Sequence, residues 1–180
     1  MKRLLIWDID GTILNCKGCG RQALSLTFEK MYGFSDAFKD VDLTGKIDSQ
    51  VIDEIVEKFQ IKDFVLQNFF DKYGKILFEV MRKIEGIDLL PGVKELLEIY
   101  ASDENIYLSL ATGNCKTGAM GKLDHCEASH YFEIGAYGDE AENRGQLVNM
   151  ALTKAKSHYG VEFKKEHIYY IGDTPKDIEA

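Results

Sequence analysis

The sequence contains no apolar run long enough to span a lipid bilayer. We therefore expect no membrane partner, and because a strand pattern begins at the N-terminus, we also expect no signal peptide. Basic residues are fewer than acidic ones: the chain has 22 Lys and Arg and 30 Asp and Glu, which gives a net charge of −8. That balance argues against a nucleic-acid partner, although a bound cation could still attract an anionic substrate.

The chain has only four cysteines, and their spacing does not complete a metal site. Cys16 and Cys19 form a C-x-x-C pair that could be half of a zinc site. No second C-x-x-C follows, and the other candidate ligands, His125 and Cys126, lie far along the chain. Zinc is therefore a minor alternative. We expect free thiols in a reducing cytoplasm.

The length and composition indicate a globular chain with a substantial core. The 180 residues suit one domain, or one domain that carries a sizeable insertion. Hydrophobic residues make up 45% of the chain, which is typical of folded and not of disordered proteins.

Two carboxylates follow the first apolar run. Leu4, Leu5, Ile6 and Trp7 lead directly into Asp8-Ile9-Asp10-Gly11-Thr12. A short continuous apolar run is typical of a parallel strand that is covered on both faces. Asp8 and Asp10 therefore lie at the carboxyl end of a strand, where ligands of open α/β sheets bind. Two carboxylates so close together repel each other unless a cation lies between them or one is protonated.

Polar residues also end two later strands. The apolar run from Ile106 to Ala111 is followed by Thr112, Gly113 and Asn114. The run from Ile168 to Ile171 is followed by Gly172 and Asp173, and then by Asp177. A further short strand is predicted around 132–136. Right-handed crossovers place such ends side by side, so we predict one site that contains all of these groups.

Between the first and second strands the pattern is helical. Apolar residues at helical spacing predict three helices from Arg21 to Ile84, with Asp48 as the cap of the second. Residues 16–88 are therefore predicted to form an inserted helical domain, and residues 1–15 and 89–180 the α/β core. Lys46, in a Gly-Lys loop of the insert, is a candidate substrate-binding residue.

These motifs, in this order, resemble those of the haloacid dehalogenase superfamily, most closely its phosphoglycolate-phosphatase-like branch. The run Asp8-x-Asp10-Gly-Thr is similar to the first motif, and Thr112-Gly113-Asn114 to the second. Gly172-Asp173-x-x-x-Asp177 is similar to the fourth. The resemblance implies a doubly wound parallel sheet with an α-helical cap.

The resemblance also implies a role for each site residue. Asp8 is the implied nucleophile, which forms an aspartyl-phosphate, and Asp10 the implied general acid and base. Thr112, Gly113, Asn114 and Arg144 are implied to bind the substrate. Mg²⁺ is implied at Asp8, Asp10, Asp173 and Asp177. Arg144 is the candidate for the cation of the third motif, with Lys122 as the alternative.

The implied activity is a Mg²⁺-dependent phosphatase that hydrolyses a small phosphorylated metabolite, either phosphoglycolate-like or a sugar phosphate. A carboxylate at position 10 favours cleavage of a C–O–P linkage, because the leaving alkoxide needs a proton. A sugar-phosphate mutase has the same core motifs and remains an alternative. A non-catalytic phosphate-binding protein is less favoured, since binding alone does not need Asp10.

The resemblance finally implies a continuation of the sheet after Ala180. In the superfamily a fifth strand and its helix follow the fourth motif. We therefore expect the natural protein to extend beyond this sequence. The crossings at 15–20 and 85–89 are expected to act as hinges between insert and core.

Overall fold

A parallel four-stranded sheet is the centre of the computed structural model, which describes residues 1–43 and 45–175. The strands are β1 (Arg3–Trp7), β2 (Leu14–Asn15), β3 (Asp88–Leu89), β4 (Ile106–Thr112), β5 (Gly135–Tyr137) and β6 (Ile168–Ile171). The order in the main sheet is β5-β4-β1-β6, and all three pairings are parallel. The predicted α/β fold class is thus confirmed.

Helices cover both faces of this sheet. They are α1 (Cys19–Tyr32), α2 (Asp48–Lys58), α3 (Leu66–Met81), α4 (Val93–Ser102), α5 (Lys116–His125) and α6 (Arg144–Tyr159). Successive side chains of a strand point to opposite faces, so β1 contributes to two cores. Leu5 and Trp7 pack with residues of α4 and α5, whereas Leu4 and Ile6 pack with residues of α6. Because helices cover β1 on both faces, its apolar residues do not alternate with polar ones.

Three helices, α1 to α3, lie between β2 and β3 and have a separate core. Phe28 is at its centre, with ring centroids of Phe38, Phe59 and Phe69 at 5.9, 5.6 and 6.3 Å. The short antiparallel pair β2–β3 joins the two crossings of the chain. This pair lies at the predicted boundaries of the insert (residues 16–88), although the division into two domains stays a prediction.

The third main strand differs from the sequence-based expectation. It was predicted around 132–136, but β5 spans only Gly135–Tyr137. A turn of 3₁₀ helix at Ser129–Tyr131 precedes it, and Phe132 closes that turn through a hydrogen bond from its N–H to the Ser129 carbonyl. Phe132 therefore belongs to the end of this turn, and Ile134 lies just before the strand with its carbonyl accepting from the N–H of Leu110.

The insert rests on the core through backbone groups. The N–H of Asp48 donates to the carbonyl of Gly113 at 2.7 Å, and the Ser49 hydroxyl donates to the carbonyl of Gly138 at 2.7 Å. A Cβ on Gly138 would lie 1.9 Å from the Gly113 oxygen, and a Cβ on Gly113 would lie 2.5 Å from the Lys46 oxygen. Only glycine at both positions allows this approach.

Asp48 has a different role from the predicted one. The residue that precedes α2 is Ile47, and no side chain caps this helix. Asp48 is the first residue of α2, and its Oδ2 accepts a 2.8 Å hydrogen bond from the N–H of Cys115. Cys115 is the residue at the start of α5. The carboxylate thus joins the insert to a helix of the core.

None of the described helices combines the length and the apolar character that crossing a bilayer requires.

Burial raises the pKa of Asp48 to about 6. A carboxyl whose folded pKa exceeds its unfolded value stabilises the fold below the unfolded pKa and loses that contribution as the pH rises through the folded pKa. Asp48→Asn keeps the acceptor oxygen and removes the charge. We expect the free energy of unfolding of this variant, relative to wild type, to increase by about 2 kcal/mol between pH 4 and pH 7.

Denaturant unfolding at several pH values measures this difference. Asp139→Asn is the matched control, because the Asp139 carboxylate accepts from the next N–H of α5, that of Lys116, at an exposed position. We expect a smaller pH dependence for the control. Parallel profiles of Asp48→Asn and wild type would contradict the prediction.

Candidate active site

The polar ends of three neighbouring strands form one pocket. Asp8 and Asp10 follow β1, Asn114 follows β4 and Asp173 follows β6. All four residues line a cavity of about 350 Å³. This convergence is the one predicted from the parallel order of the strands. Gly11 makes it possible: its φ is +80°, and a Cβ there would lie 2.2 Å from Oδ2 of Asp173.

Asp8 is buried and paired with Arg144. The distance from the Arg144 Nη2 to the Asp8 Oδ2 is 2.5 Å, and only 7% of the Asp8 side chain is exposed. Arg144 also donates to the Tyr170 hydroxyl at 3.0 Å, and that hydroxyl donates to the Ala111 carbonyl at 3.2 Å. Burial raises the pKa of Asp8, and the positive charge of Arg144 opposes that rise.

Asp10 is held by a second cation. The Lys122 Nζ lies 2.6 Å from the Asp10 Oδ2 and 2.6 Å from the Asn114 Oδ1. The Asn114 amide also donates to the Asp10 Oδ2 at 2.7 Å. These bonds close a triangle between three side chains. Such charge-assisted hydrogen bonds are stronger than neutral ones, so the triangle fixes one orientation of the Asp10 carboxylate.

The charges of this triangle stabilise each other. Burial alone would raise the pKa of Asp10, but the Lys122 ammonium and the hydrogen bonds from Lys122 and Asn114 hold it below its ordinary value. Burial alone would lower the pKa of Lys122, but the charge of Asp10 raises it well above its ordinary value. With only 3% of its side chain exposed, Lys122 is a buried cation in an ion pair.

The two candidates for the third-motif cation thus occupy different positions. Arg144, the first residue of α6, contacts Asp8. Lys122, from the buried side of α5, contacts Asp10. The sequence analysis treated them as alternatives, whereas the structure brings both into one pocket. A signal for Lys122 was present: it lies on the helical stripe of Cys115, Ala119 and Leu123, where a lysine needs a buried partner.

Thr112, a predicted substrate-binding residue, contacts Asn114 in the structure. Its side chain is fully buried, and its Oγ1 accepts a 2.9 Å hydrogen bond from the Asn114 amide. Thr112 does not line the pocket, whereas Gly113 and Asn114 do. In this conformation Thr112 orients Asn114, and its contact with a substrate oxygen stays a prediction.

The insert contributes the other wall of the pocket. Lys46 lines it, with its Nζ 2.7 and 2.8 Å from the two carboxylate oxygens of Glu54. Arg21 and Tyr73 line it as well. Arg21 donates to the Phe38 carbonyl. Sequence reasoning assigned Tyr73 only to the core, because its helical spacing is the same as that of its apolar neighbours.

Cys16 and Cys19 lie beside this pocket. Cys16 lines it and is half-buried, whereas Cys19 is fully buried. The hydrogen bond with Cys19 lowers the pKa of Cys16 to about 7, and the same bond together with burial raises the pKa of Cys19 far above its ordinary value. Among the described residues, all four cysteines are free thiols.

Asp8, Asp10 and Asp173 are the predicted metal ligands within the described residues. Asp8 and Asp173 line the same pocket, and the buried Oδ1 of Asp10 has no hydrogen-bond partner within the described residues. Asp177, the fourth predicted ligand, lies outside the described residues. Within residues 1–43 and 45–175, no three His, Cys, Asp or Glu side chains converge closely enough to hold a metal ion. Oxygen donors of this kind suit a hard cation such as Mg²⁺.

The sequence is similar to a characterised class of hydrolases. Residues 5–180 match the family of haloacid dehalogenase-like hydrolases. The phosphorylated carbohydrates phosphatase of Thermotoga maritima is 27% identical over 143 residues. That alignment covers 77% of this chain and 62% of the relative, so the chain spans less than two thirds of the relative's length.

Solved structures share the same fold. CbbY from Rhodobacter sphaeroides, in complex with phosphate, superposes with a TM-score of 0.68 at 18% identity, over 94% of this chain and 77% of that one. The haloacid dehalogenase-like protein SP0104 from Streptococcus pneumoniae superposes with a TM-score of 0.63 at 20% identity, over 99% and 79% of the two chains. From the sequence match over most of its length, and from this shared fold, we conclude that the chain belongs to the haloacid dehalogenase-like hydrolase family.

Proposed function

We propose that this protein is a Mg²⁺-dependent phosphatase that acts on a small phosphate monoester. The proposal is based on two ion pairs that lie in one pocket, Asp8 with Arg144 and Asp10 with Lys122. A phosphoryl-transfer site needs a nucleophile, a group that handles the proton of the leaving alcohol, and cations for the phosphoryl oxygens. The four side chains supply each of these.

In the proposed reaction the carboxylate of Asp8 attacks the phosphorus atom, and the bond to the leaving oxygen breaks. An aspartyl-phosphate forms, and the Arg144 guanidinium stabilises the charge on the phosphoryl oxygens. Asp10 delivers a proton to the leaving oxygen. Asp10 then takes a proton from the water that hydrolyses the intermediate, which restores Asp8 and releases phosphate.

We propose that Lys122 and Asn114 position Asp10 for both steps. In the Lys122–Asp10 pair the proton lies on the ammonium of Lys122, whose Nζ is 2.6 Å from the Asp10 Oδ2. The ionised form of Asp10, which Lys122 stabilises, is the form that accepts the proton of the attacking water. The proton for the leaving oxygen comes from this same pair, and Asp10 is the group that delivers it.

Magnesium is part of this proposal. The proposed ligands are Asp8, the backbone carbonyl of Asp10, Asp173 and Asp177. Two of these carboxylates line the pocket, and the structure of YfnB from Bacillus subtilis, which shares the fold at a TM-score of 0.56, contains bound magnesium. The ion, when bound, neutralises negative charge on the phosphoryl group.

We propose a phosphorylated carbohydrate or a phosphoglycolate-like acid as the substrate. The relative from Thermotoga maritima is named for phosphorylated carbohydrates, and a structure of CbbY contains xylulose-1,5-bisphosphate. The insert, residues 16–88, is proposed to act as a cap over the core formed by 1–15 and 89–180. Arg21 and Lys46 of the insert line the same pocket as the carboxylates, and their positive charges suit a substrate with an anionic group.

The activity is tested by release of phosphate from alkyl monoesters with and without Mg²⁺. Asp8→Asn removes the nucleophile and should abolish turnover. Asp10→Asn should lower kcat by roughly 10²–10⁴, the usual contribution of general acid–base catalysis. Asp124→Asn, at an exposed position of α5, is the matched control and should leave kcat unchanged.

Product analysis separates phosphatase from mutase. Formation of an isomeric sugar phosphate without free phosphate would assign the mutase reaction. Binding of phosphate without turnover of any monoester would assign a non-catalytic role. Wild-type turnover by Asp8→Asn would remove Asp8 as the nucleophile.

The role of Lys122 makes a prediction about the leaving group. Lys122→Met keeps a buried chain of similar length but removes the charge beside Asp10. On a sugar phosphate, whose alkoxide must be protonated, kcat should fall by roughly 10²–10⁴. On nitrophenyl phosphate, whose leaving group needs little protonation, the loss should stay below about tenfold. Lys116→Met, at an exposed position of the same helix, is the control. Equal losses on both substrates would assign Lys122 a structural role only.

The proposed substrate contact of Lys46 is tested by comparison of two substrates. Lys46→Ala should raise KM for a sugar phosphate more than for an aryl phosphate, since only the former offers polar groups to the insert. Lys30→Ala, whose ammonium pairs with Glu79 on an exposed surface of the insert, should change neither value. If KM rises equally for both substrates, Lys46 does not contact the variable part of the substrate.

A further inference from the structure

A tight turn brings Cys16 and Cys19 close together. The N–H of Cys19 donates to the Cys16 carbonyl at 2.8 Å, and Lys17 and Gly18 both have positive φ, of +51° and +76°. This is a type I′ turn, in which the Cα atoms of the first and fourth residues lie within about 7 Å of each other. Disulfide-bonded cysteines have Cα atoms about 4.4–6.8 Å apart.

The two thiols differ in the way that thiol–disulfide exchange needs. Cys16 is half-buried and lines the pocket, so a dissolved oxidant can reach it. Cys19 is fully buried and is the first residue of α1. An accessible attacking thiol with a buried resolving thiol beside it is typical of reversible dithiol pairs.

The position of the pair links it to the proposed acid–base residue. Cys16 lines the same pocket as Asp10 and Lys122. The turn also lies directly after β2, at the crossing from core to insert. A covalent link at this place would change the pocket wall beside Asp10 and stiffen the crossing.

We propose that Cys16 and Cys19 form a reversible disulfide that switches off turnover in the adjacent pocket. The disulfide itself is independent of the proposed phosphatase function, whereas the effect on turnover rests on it.

A low-molecular-weight disulfide is the oxidant in this proposed reaction. The Cys16 thiolate attacks one sulfur of oxidised glutathione and expels a glutathione thiolate, which takes up the proton that Cys16 lost. The Cys19 sulfur then attacks Cys16, expels the second glutathione as a thiol and gives up its own proton to it. Two protein thiols are oxidised, and one glutathione disulfide is reduced to two thiols.

The experiment incubates the native protein with excess oxidised glutathione and then with dithiothreitol. We expect loss of two of the four thiols, a mass decrease of two hydrogen atoms and a peptide in which Cys16 is joined to Cys19. Dithiothreitol should restore the thiols. In the same samples, turnover of a phosphate monoester should fall by roughly tenfold or more and recover on reduction.

Variants assign the effect to this pair. Cys16→Ser should lose the inactivation by oxidised glutathione, and Cys19→Ser should stop at a glutathione adduct on Cys16 without an internal disulfide. Cys126→Ser, the control for another half-buried thiol beside the same core, should be inactivated as wild type is. The proposal is overturned if four thiols persist under oxidation, if Cys16 joins Cys126, or if Cys16 carries only a stable glutathione adduct. Disulfide formation with unchanged turnover in an active enzyme would overturn the switch. The absence of turnover in the reduced protein would instead refute the proposed function and leave the thiol and mass measurements to decide on the disulfide.

Discussion

The site depends on the neutralisation of two carboxylates at the end of a single strand. Asp8 and Asp10 stand two residues apart, and their charges would repel each other without compensation. Arg144 and Lys122, which come from helices on opposite faces of the sheet, each neutralise one of them. Because Lys122 extends from α5 and Arg144 from α6, the positions of these two helices over the sheet determine where the positive charges of the pocket lie.

The compensation is unequal, and this gives the two carboxylates different properties. Burial prevails at Asp8, whose pKa is raised, whereas Lys122 and Asn114 prevail at Asp10, whose pKa is lowered. Sites that assign different tasks to two carboxylates separate their pKa values through such environments. The proposed roles of nucleophile and proton carrier rest on the contacts of the two carboxylates and not on this separation, since a raised pKa alone favours an acid and not a nucleophile.

The sequence was sufficient to predict the sheet and the convergence of its polar ends. Leu4 to Trp7 and Ile168 to Ile171 are apolar without alternation, a pattern typical of parallel strands. Leu4 to Trp7 is buried as that pattern predicts, whereas Ile168 to Ile171 is partly exposed. The sequence could not tell whether Arg144 or Lys122 contacts Asp8, because the answer depends on how α5 and α6 are rotated about their axes. The sequence also could not identify the hydrogen-bond partner of Asp48, since Cys115 lies 67 residues away along the chain. Neither helix rotation nor the docking of distant segments leaves a local pattern.

The contact between Gly113 and Gly138 separates two properties of the pocket. The insert rests there on main-chain atoms, which are the same whatever side chains surround them. Its position above the carboxylates is thus set in part by backbone atoms, whereas Arg21, Lys46 and Tyr73 line its inner wall. Substitutions on the inner wall are therefore compatible with an unchanged seating of the insert.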